Sequence, residues 1–246
     1  MKYVGSKNRL AKQLAPIIQS YIDTSNCKGY IEPFVGGANM IDKIKCNKKY
    51  GFDTHKYLIA LLKQAQKDTS VFPVTIDKEM YQYIRRCQND NSFEDWFIGL
   101  VGFCASYNGK WFGGYANGVK TKIGTIRNYT DEAIANLKKQ ATNLKDITFH
   151  YRDFRTIKPE NVNGFVIYCD PPYRDTTKYA TDSFPYDEFY EWCRAMSENN
   201  VVLISEYWMP DDFECIWEGK LKCTLDKNSR TDKVERLFKY KGDKQC

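Results

Sequence analysis

Four residues that follow an apolar run carry the chemical groups needed to recognise an amine on a planar ring. The run, 165–169, is rich in β-branched and aromatic residues and predicts a strand that ends at Asp170. Asp170 supplies a carboxylate, and Pro171 and Pro172 leave backbone carbonyls without neighbouring N–H donors. Tyr173 adds an aromatic face on which a planar base could stack. Two acceptors beside a ring suit an exocyclic amine, and a plain tight turn after a strand is the alternative interpretation.

A glycine turn and a later acid form a second group with chemical meaning. The predicted strand 30–32 is followed by a turn and then by an expected helix, and the turn residues are Pro33, Phe34, Val35, Gly36 and Gly37. Glycines let the backbone approach a ligand closely. The next predicted strand, 49–53, ends in Asp53, 17 positions after Gly36, near the spacing at which a carboxylate reaches a ribose hydroxyl in a βαβ unit. Together these features indicate a nucleotide site.

The N-terminal segment places small residues and a lysine before an amphipathic helix. Tyr3, Gly5, Ser6 and Lys7 precede apolar residues at helical spacing over 10–21. Ser6 is the predicted N-cap, and the free N–H groups at the start of the helix favour an anionic ligand. The alternative is a helix that only docks on the core, behind a solvated lysine loop.

Residues 71–128 depart from the strand and helix alternation around them. Apolar spacing predicts one helix over 80–87 and another over 93–101. The loop that follows is aromatic, glycine-rich and basic, and its candidate DNA-binding residues are Tyr107, Asn108, Lys110, Trp111 and Arg127. We interpret the region as a helical insertion that ends in a loop facing nucleic acid. A glycine-rich connection that merely packs its tryptophan onto the main domain is the alternative.

The remaining pattern alternates strands and helices, which predicts an α/β fold with a mostly parallel sheet. Helices are expected over 55–67, 130–145 and 186–197, with Thr130 as the N-cap of the second. Strands are expected over 147–151 and 201–205, with a polar loop over 178–185 and a closing hairpin over 221–225 and 234–240. We expect the strand 147–151 to deliver Asp153 and Phe154 to the sheet edge of Asp53 and Asp170.

Composition narrows the class of protein. The 246 residues suffice for one large domain with an insertion, and a formal charge of +6 is compatible with a polyanionic partner. Nine cysteines without a Cys-x-x-Cys pair, beside only His55 and His150, argue against a zinc site and for reduced thiols in the cytoplasm. We expect no signal peptide and no membrane span, because lysines interrupt the first residues and no long apolar run follows.

The combined motifs closely resemble the DNA adenine methyltransferase (Dam, D12-class) family. The segments that carry the likeness, in the family's order, are 3–7, 32–37, Asp53, Asp153 with Phe154, and 170–173. The likeness covers nearly the whole chain, including 230–238, and is weakest in the insertion. It implies a Rossmann-like S-adenosylmethionine-dependent methyltransferase fold, with a mostly parallel seven-stranded sheet that ends in a reversed hairpin. It also implies a catalytic domain over 1–70 and 129–246 and a target-recognition insertion over 71–128.

The resemblance assigns roles to individual residues. Asp170, Pro171, Pro172 and Tyr173 would hold a flipped adenine and aim its N6 at the methyl group of S-adenosylmethionine. Asp53 would bind the ribose hydroxyls. The residues expected around the cofactor are Tyr3, Gly5, Ser6, Lys7, Pro33, Phe34, Val35, Gly36, Gly37, Asp53, Asp153, Phe154 and Asp170. The expected partner is double-stranded DNA, bound by a monomer in the cytoplasm of a bacterial or phage-infected bacterial cell, with neither metal nor membrane.

Three departures from the family pattern limit what is transferred. Ala38 stands where many relatives have a further glycine, His55 replaces a common asparagine, and 105–110 departs from the usual Asn-Gly-Leu-x-Arg stretch. The target sequence is therefore left open. The alternatives are a cytosine-N4 methyltransferase, an RNA or protein-glutamine methyltransferase, and a non-catalytic DNA-binding relative. Asp170 favours adenine, because the cytosine enzymes more often carry serine at that position.

Overall fold

The computed structural model describes residues 1–173, 184–221 and 233–242. Its strands are β1 (Gly29–Glu32), β2 (Lys49–Asp53), β3 (Val119–Lys120), β4 (Ile126–Arg127), β5 (Ile147–Tyr151), β6 (Phe165–Cys169), β7 (Val201–Glu206), β8 (Phe213–Leu221) and β9 (Lys233–Tyr240). Its α-helices are α1 (Ala11–Thr24), α2 (Lys56–Lys67), α3 (Lys78–Cys87), α4 (Asp95–Cys104), α5 (Tyr129–Ala141) and α6 (Tyr186–Ser197). Short 3₁₀ helices span Lys7–Arg9, Ile41–Lys43, Tyr107–Gly109, Phe154–Thr156 and Pro159–Asn161.

One sheet contains seven of these strands, in the order β5-β2-β1-β6-β7-β9-β8. The strands β1, β6 and β7 are parallel, with Tyr30 opposite Val166 and Tyr168 opposite Leu203. The strand β9 is antiparallel to both of its neighbours, β7 and β8. The predicted α/β fold is thereby confirmed, including the reversed hairpin at its end. The strands β3 and β4 form a separate two-stranded hairpin.

The chain forms two compact units. The first comprises Met1–Ala15, Val35–Ile44 and Gly51–Arg152, and the second comprises Pro16–Phe34, Lys45–Tyr50 and Asp153–Cys246. The expected insertion, 71–128, lies within the first unit. Its separation from a catalytic domain stays a prediction.

Close packing of α2 against α4 forms the core of the first unit. Leu58, Leu61 and Leu62 of α2 are fully buried, and each contributes about 1.5–3 kcal/mol through the burial of its side chain. In α4, Gly99 lies so near the carbonyl oxygen of Tyr57 that a Cβ would overlap it. The glycine lets the two helix backbones approach each other. Apolar spacing thus correctly predicts α2, α3 and α4.

Central strands and one helix form the core of the second unit. The segments 166–169 of β6 and 202–206 of β7 are buried along their whole length, as expected for parallel strands covered on both faces. The helix α6 buries Phe189 and Trp192, and the Trp192 indole donates a hydrogen bond to the carbonyl of Ile157 at 2.8 Å. The expected strands 165–169 and 201–205 and the expected helix 186–197 are therefore confirmed.

Several predicted helix boundaries are wrong. Ser6 caps the 3₁₀ helix Lys7–Arg9, and α1 begins only at Ala11. The helix expected after the glycine turn is absent, and the short 3₁₀ helix Ile41–Lys43 takes its place. Asn128, not Thr130, caps α5, because its Oδ1 accepts the N–H groups of Thr130 and Asp131 at 3.0 and 3.3 Å. The helix α5 also ends earlier than expected, at Ala141.

Other differences concern strands. The closing hairpin exists, but its first strand begins at Phe213, and positions 222–225 of the expected strand lie outside the described residues. Most of the expected loop 178–185 also lies outside them. Within the described ranges, no helix has the length and apolar character needed to cross a membrane. Among the same residues, no group of three or more His, Cys, Asp or Glu side chains is placed to hold a metal ion.

Candidate active site

Tyr3 and the glycine turn lie against each other in the first unit. Gly36 has a φ of +47°, and a Cβ at this position would lie 2.9 Å from Cε1 of Tyr3. A Cβ on Gly37 would lie 2.8 Å from the Cβ of Tyr3. The Val35 N–H donates to the Phe52 carbonyl at 2.8 Å and so joins the turn to β2. The structure therefore brings four of the predicted cofactor residues together, with room for glycine alone at 36 and 37.

The residues after Tyr3 form a tight turn. The Ser6 N–H donates to the Tyr3 carbonyl at 3.2 Å, and the Ser6 hydroxyl accepts from the Asn8 N–H at the same distance. Gly5 occupies the left-handed region, with a φ of +76°. Lys7 starts the short 3₁₀ helix that Ser6 caps. Their contact with a cofactor remains a prediction.

Asp53 at the end of β2 is tied to the glycine turn. Its Oδ2 accepts the Gly36 N–H at 3.0 Å, and its Oδ1 accepts the His55 N–H at 2.9 Å. Burial raises the pKa of Asp53, and the backbone N–H groups of His55, Gly36 and Thr54 offset only part of this effect. Each carboxylate oxygen can accept a further hydrogen bond, which is the capacity that a pair of ribose hydroxyls requires.

The predicted DNA-binding loop docks on the N-terminal segment of the same unit. The Val4 N–H donates to the Gly109 carbonyl at 3.4 Å. Gly109 has a φ of +66°, and a Cβ there would lie 2.5 Å from the Lys2 carbonyl oxygen. Beside this contact Tyr107 is 60% exposed, and Asn108 adopts a φ of +54°. The loop therefore has a fixed base and an exposed tip.

Trp111 lies in an aromatic cluster formed by His55, Tyr57, Phe103, Trp111 and Phe112. Its ring stacks on Tyr57 at 5.2 Å with an interplanar angle of 12° and meets the edge of His55 at 4.4 Å. Phe103 and Phe112 contact it at 4.9 and 4.7 Å. These contacts favour a packing role for Trp111, whereas Tyr107, Asn108 and Lys110 are exposed. DNA contact by any residue of the loop stays a prediction.

His55 joins the aromatic cluster to Asp53. Its Nδ1 accepts the Leu58 N–H at 3.3 Å and so caps α2, which requires the neutral imidazole. Burial lowers the pKa of His55 to about 4. His55 is therefore uncharged at neutral pH, and it fills the capping role that asparagine also performs well.

Arg127, another predicted DNA-binding residue, is paired within the first unit. Its Nε and Nη2 donate to the two carboxylate oxygens of Glu132 at 2.6 and 2.8 Å. The hairpin of β3 and β4 that ends at Arg127 exposes Ile123 to 86% and Ile126 to 80%. A phosphate contact by Arg127 would have to compete with Glu132, and this contact remains a prediction.

Phe34 and Phe154 contact each other in the second unit. Their ring centroids are 5.5 Å apart, and Phe34 also contacts Phe184 and Phe189 at 5.8 and 5.6 Å. Phe154 is buried and Phe34 is half-buried, while Pro33 before it is buried. The structure thus places two predicted cofactor residues, which are far apart in sequence, in one apolar group that suits a planar ring.

Asp153 is held by a residue that sequence reasoning missed. Its Oδ1 accepts the backbone N–H and Nε of Arg155 at 2.9 and 2.8 Å, and its Oδ2 accepts Nη2 at 3.1 Å. Burial raises the pKa of Asp153, but the hydrogen bonds and charge of Arg155 outweigh it, and the net shift is downward. Asp153 therefore carries its charge at neutral pH, in a fixed position.

The four residues that follow β6, the 170–173 segment, lie in the second unit outside any helix or strand. Asp170 is half-buried, Pro171 is buried and Pro172 is exposed. The Pro172 carbonyl accepts a hydrogen bond from the Tyr186 hydroxyl at 3.0 Å, which joins the 170–173 segment to the first residue of α6. Tyr173 is only 8% exposed, and its ring meets the edge of Tyr207 at 4.7 Å. The position of Asp170 at the carboxyl end of a buried strand agrees with its prediction.

Three acids in the second unit are buried, which the sequence analysis did not predict. Glu32 accepts the Tyr30 hydroxyl at 2.7 Å, Glu206 accepts the Tyr207 N–H at 2.7 Å, and Glu235 accepts the Tyr173 hydroxyl. All three carboxylates are at least nine-tenths buried. Strand alternation offered one signal, because Glu235 shares a face of β9 with the buried Leu237.

Comparisons with known proteins identify the family of the chain. A model of the D12 class N6 adenine-specific DNA methyltransferase family matches residues 3–212. The type II methyltransferase M.FokI of Planomicrobium okeanokoites is 25% identical over 200 residues, which cover 74% of this chain and 30% of the relative. M.MjaIII of Methanocaldococcus jannaschii is 23% identical over 280 positions, covering 100% of this chain and 94% of the relative. The chain thus spans less than a third of the first relative.

Two solved structures share a distant likeness. HI0767 of Haemophilus influenzae, a proposed methylase, has a TM-score of 0.37 and 12% identity, covering 94% of this chain and 96% of its own. SMU.472, a proposed methyltransferase complexed with SAH, has a TM-score of 0.38 and 10% identity, covering 96% of this chain and 54% of its own. At these TM-scores neither structure adds to the assignment of fold or function.

Proposed function

Because the chain belongs to the D12 class N6 adenine-specific DNA methyltransferase family, we propose that it methylates adenine N6 at a specific site in duplex DNA. The observation that carries the proposal is the position of Asp170, Pro171, Pro172 and Tyr173 directly after the buried strand β6, inside the matched residues 3–212. S-adenosylmethionine, when bound, supplies a methyl group activated by its positive sulfur.

Asp53 is the residue that we assign to the ribose of the cofactor. Its carboxylate is oriented by the Gly36 and His55 N–H groups, so the side chain loses little conformational entropy when hydroxyls bind. Tyr3 packs on the same turn and shapes its surface. In the second unit, the contacting rings of Phe34 and Phe154 are suited to the cofactor's adenine.

The 170–173 segment is the part that we assign to the target base. Adenine N6 is a poor nucleophile, because its lone pair is delocalised into the ring. Hydrogen bonds from its two protons to the Asp170 carboxylate and the Pro171 carbonyl would direct the lone pair and stabilise the positive charge that develops on N6. Asp170 then accepts the proton that N6 must lose. Base flipping, at a cost of a few kcal/mol, would bring the adenine to this segment.

The exposed loop tip is the part of the first unit that we assign to DNA recognition. Tyr107, Asn108 and Lys110 are exposed there, and Lys110 supplies a positive charge. The overall charge of +6 also favours a polyanion. A role of residues 71–128 as a target-recognition insertion, a monomeric state and a cytoplasmic location belong to the same proposal.

Mass spectrometry of digested DNA tests the proposed reaction. We expect the wild-type protein with S-adenosylmethionine to produce N6-methyladenine in duplex DNA. Asp170→Ala should abolish this product while retaining cofactor binding by calorimetry, since Asp170 acts on the base. N4-methylcytosine as the product would overturn the adenine assignment, and DNA binding without any methylated product would indicate a non-catalytic relative.

A further inference from the structure

The Tyr173 hydroxyl donates a hydrogen bond to the carboxylate of Glu235. Tyr173 is 8% exposed and Glu235 is 1% exposed, so water has little access to this bond. The Tyr207 ring meets Tyr173 edge-on at an interplanar angle of 84°. A phenol that is held at its oxygen and against a second ring cannot rotate freely about its side-chain bonds.

Glu235 occupies a rigid part of the second unit. It lies on β9, which pairs with β7 on one side and β8 on the other. Its partner in the β8 register is Gly219, and the next pair in the β7 register is Glu206 with Arg236. The carboxylate therefore projects from backbone that two ladders fix in place.

Burial of a carboxylate is unfavourable, because its removal from water costs several kcal/mol unless hydrogen bonds compensate for the loss. An apolar residue on the same strand face, such as Leu237, avoids this cost. Glu235 accepts the hydroxyl of Tyr173, and a catalytic role of the 170–173 segment would account for the unfavourable burial of this carboxylate.

We propose that Glu235 is a positioning residue that holds the Tyr173 ring in place to stack on the target adenine. The inference rests on the proposed function and deepens it. A phenol that donates to a carboxylate also carries more electron density on its ring, which favours a neighbouring base whose N6 becomes positive during transfer. Burial, followed by the charges of Asp170 and Glu235, raises the pKa of Tyr173 well above its usual value. The phenol therefore keeps its proton at working pH.

A double-mutant cycle of Tyr173→Phe and Glu235→Ala tests the proposal. The readouts are the single-turnover rate on duplex DNA at saturating S-adenosylmethionine, cofactor affinity by calorimetry, and melting temperature. We expect each single variant to lose ten- to a hundredfold in rate, and the double variant to lose no more than the worse single one. Glu235→Gln should recover at least threefold of the loss, because its amide oxygen still accepts the phenol proton. Cofactor affinity should stay within twofold.

Ser205→Ala is the matched control for a purely structural loss. It removes the 2.8 Å hydrogen bond between the Ser205 and Tyr168 hydroxyls, which is also buried in this sheet. The melting temperature should fall while the rate is kept. Additive rate losses in the cycle, or a Glu235→Ala variant that is less stable but fully active, would overturn the positioning role.

The experiment distinguishes failure of the proposed function from failure of the proposed role of Glu235. A wild-type protein that methylates no DNA contradicts the proposed function, whereas an active wild type with an unaffected Glu235→Ala variant contradicts only the role of Glu235. Should Glu235→Ala fail to fold, the single variants Glu235→Gln and Tyr173→Phe decide the question. In that case a Glu235→Gln rate equal to wild type, beside a slow Tyr173→Phe variant with unchanged melting temperature, supports the hydrogen bond as the active element, and a Tyr173→Phe rate equal to wild type opposes it.

Discussion

The backbone N–H of Gly36 donates to the Asp53 carboxylate at 3.0 Å, so a hydrogen bond joins the glycine turn to the end of β2. The same carboxylate accepts a hydrogen bond from the N–H of His55, the N-cap of α2, at 2.9 Å. A side chain that orders two turns and is also assigned to a ligand is sensitive to substitution.

Asp53→Ala should weaken S-adenosylmethionine binding at least tenfold. The substitution removes a charge-assisted acceptor, which is worth about 1.5–3 kcal/mol. Isothermal calorimetry measures the affinity, and Glu79→Ala, at an exposed acid on α3, is the control for lost negative charge. Equal affinities of wild type and Asp53→Ala would remove Asp53 from the cofactor site.

Stability should fall when the pH is lowered from about 6.5 to about 4, in part because of His55. Its folded pKa is lowered, so the unfolded state binds more protons in this window and is favoured by acid. The loss attributable to His55 is about 1–3 kcal/mol, from the free-energy equivalent of a pKa shift. Urea unfolding at pH 7.5 and 5.0 measures it.

His55→Asn separates this effect from that of neighbouring acids. Asparagine keeps the N-cap of α2 but does not titrate, so the difference in stability between the two pH values should shrink. Asp53 is present in both proteins, and its raised pKa acts in the opposite direction, since the folded state holds that proton more tightly. Parallel pH profiles for wild type and His55→Asn would show that His55 does not carry the dependence.

Gly36→Ala should destabilise the protein more than Gly124→Ala does. Both glycines have a positive φ, +47° and +85°, where a Cβ costs about 1–2 kcal/mol. At Gly124 nothing lies within 4 Å of the added atom, whereas at Gly36 the Tyr3 ring must move. Thermal unfolding compares the two variants, and an equal loss in both would mean that Tyr3 yields without cost.

Lys110→Ala should weaken binding to all DNA sequences and reduce the salt slope of the affinity by about one. The residue is exposed on the loop that Gly109 anchors. Fluorescence anisotropy at several salt concentrations gives the slope, and Lys78→Ala on the exposed face of α3 is the matched control. An unchanged slope for Lys110→Ala would place phosphate contacts elsewhere.

Asn108→Gly should relax discrimination at one base pair by roughly 1–3 kcal/mol, if its amide reads a base edge. Glycine is the proper substitution because the φ of Asn108 is +54°, where alanine would add strain. Competition binding with single-base variants of the target measures the effect. If Asn108→Gly keeps the wild-type base preference and Trp111→Ala lowers the melting temperature, the loop has a structural role.

Elements with a strong local pattern were predictable from sequence. The strands β2 and β6 and the helix α6 occur at the expected residues, because alternation, apolar runs and helical spacing are local properties. The positions of Asp53 and Asp170 at strand ends were predictable for the same reason.

Features that depend on distant partners were not predictable. The helix expected after the glycine turn does not form. Ala38 adopts a φ of +54° there, and the Asn39 amide donates a hydrogen bond to the Met1 carbonyl at 3.0 Å. The role of Glu235 likewise depends on a hydroxyl 62 positions away. A sequence read locally contains no sign of either pairing.

The contact between Gly109 and Lys2 has a practical meaning for engineering. A Cβ at 109 would lie 2.5 Å from the Lys2 carbonyl oxygen, and the Val4 N–H binds the same glycine. A loop 105–115 grafted from a relative would therefore fit only with glycine at its third 3₁₀ position and with residues 2–5 exchanged alongside it. Chimaeras designed to alter target choice should treat these two separate stretches of chain as a single module.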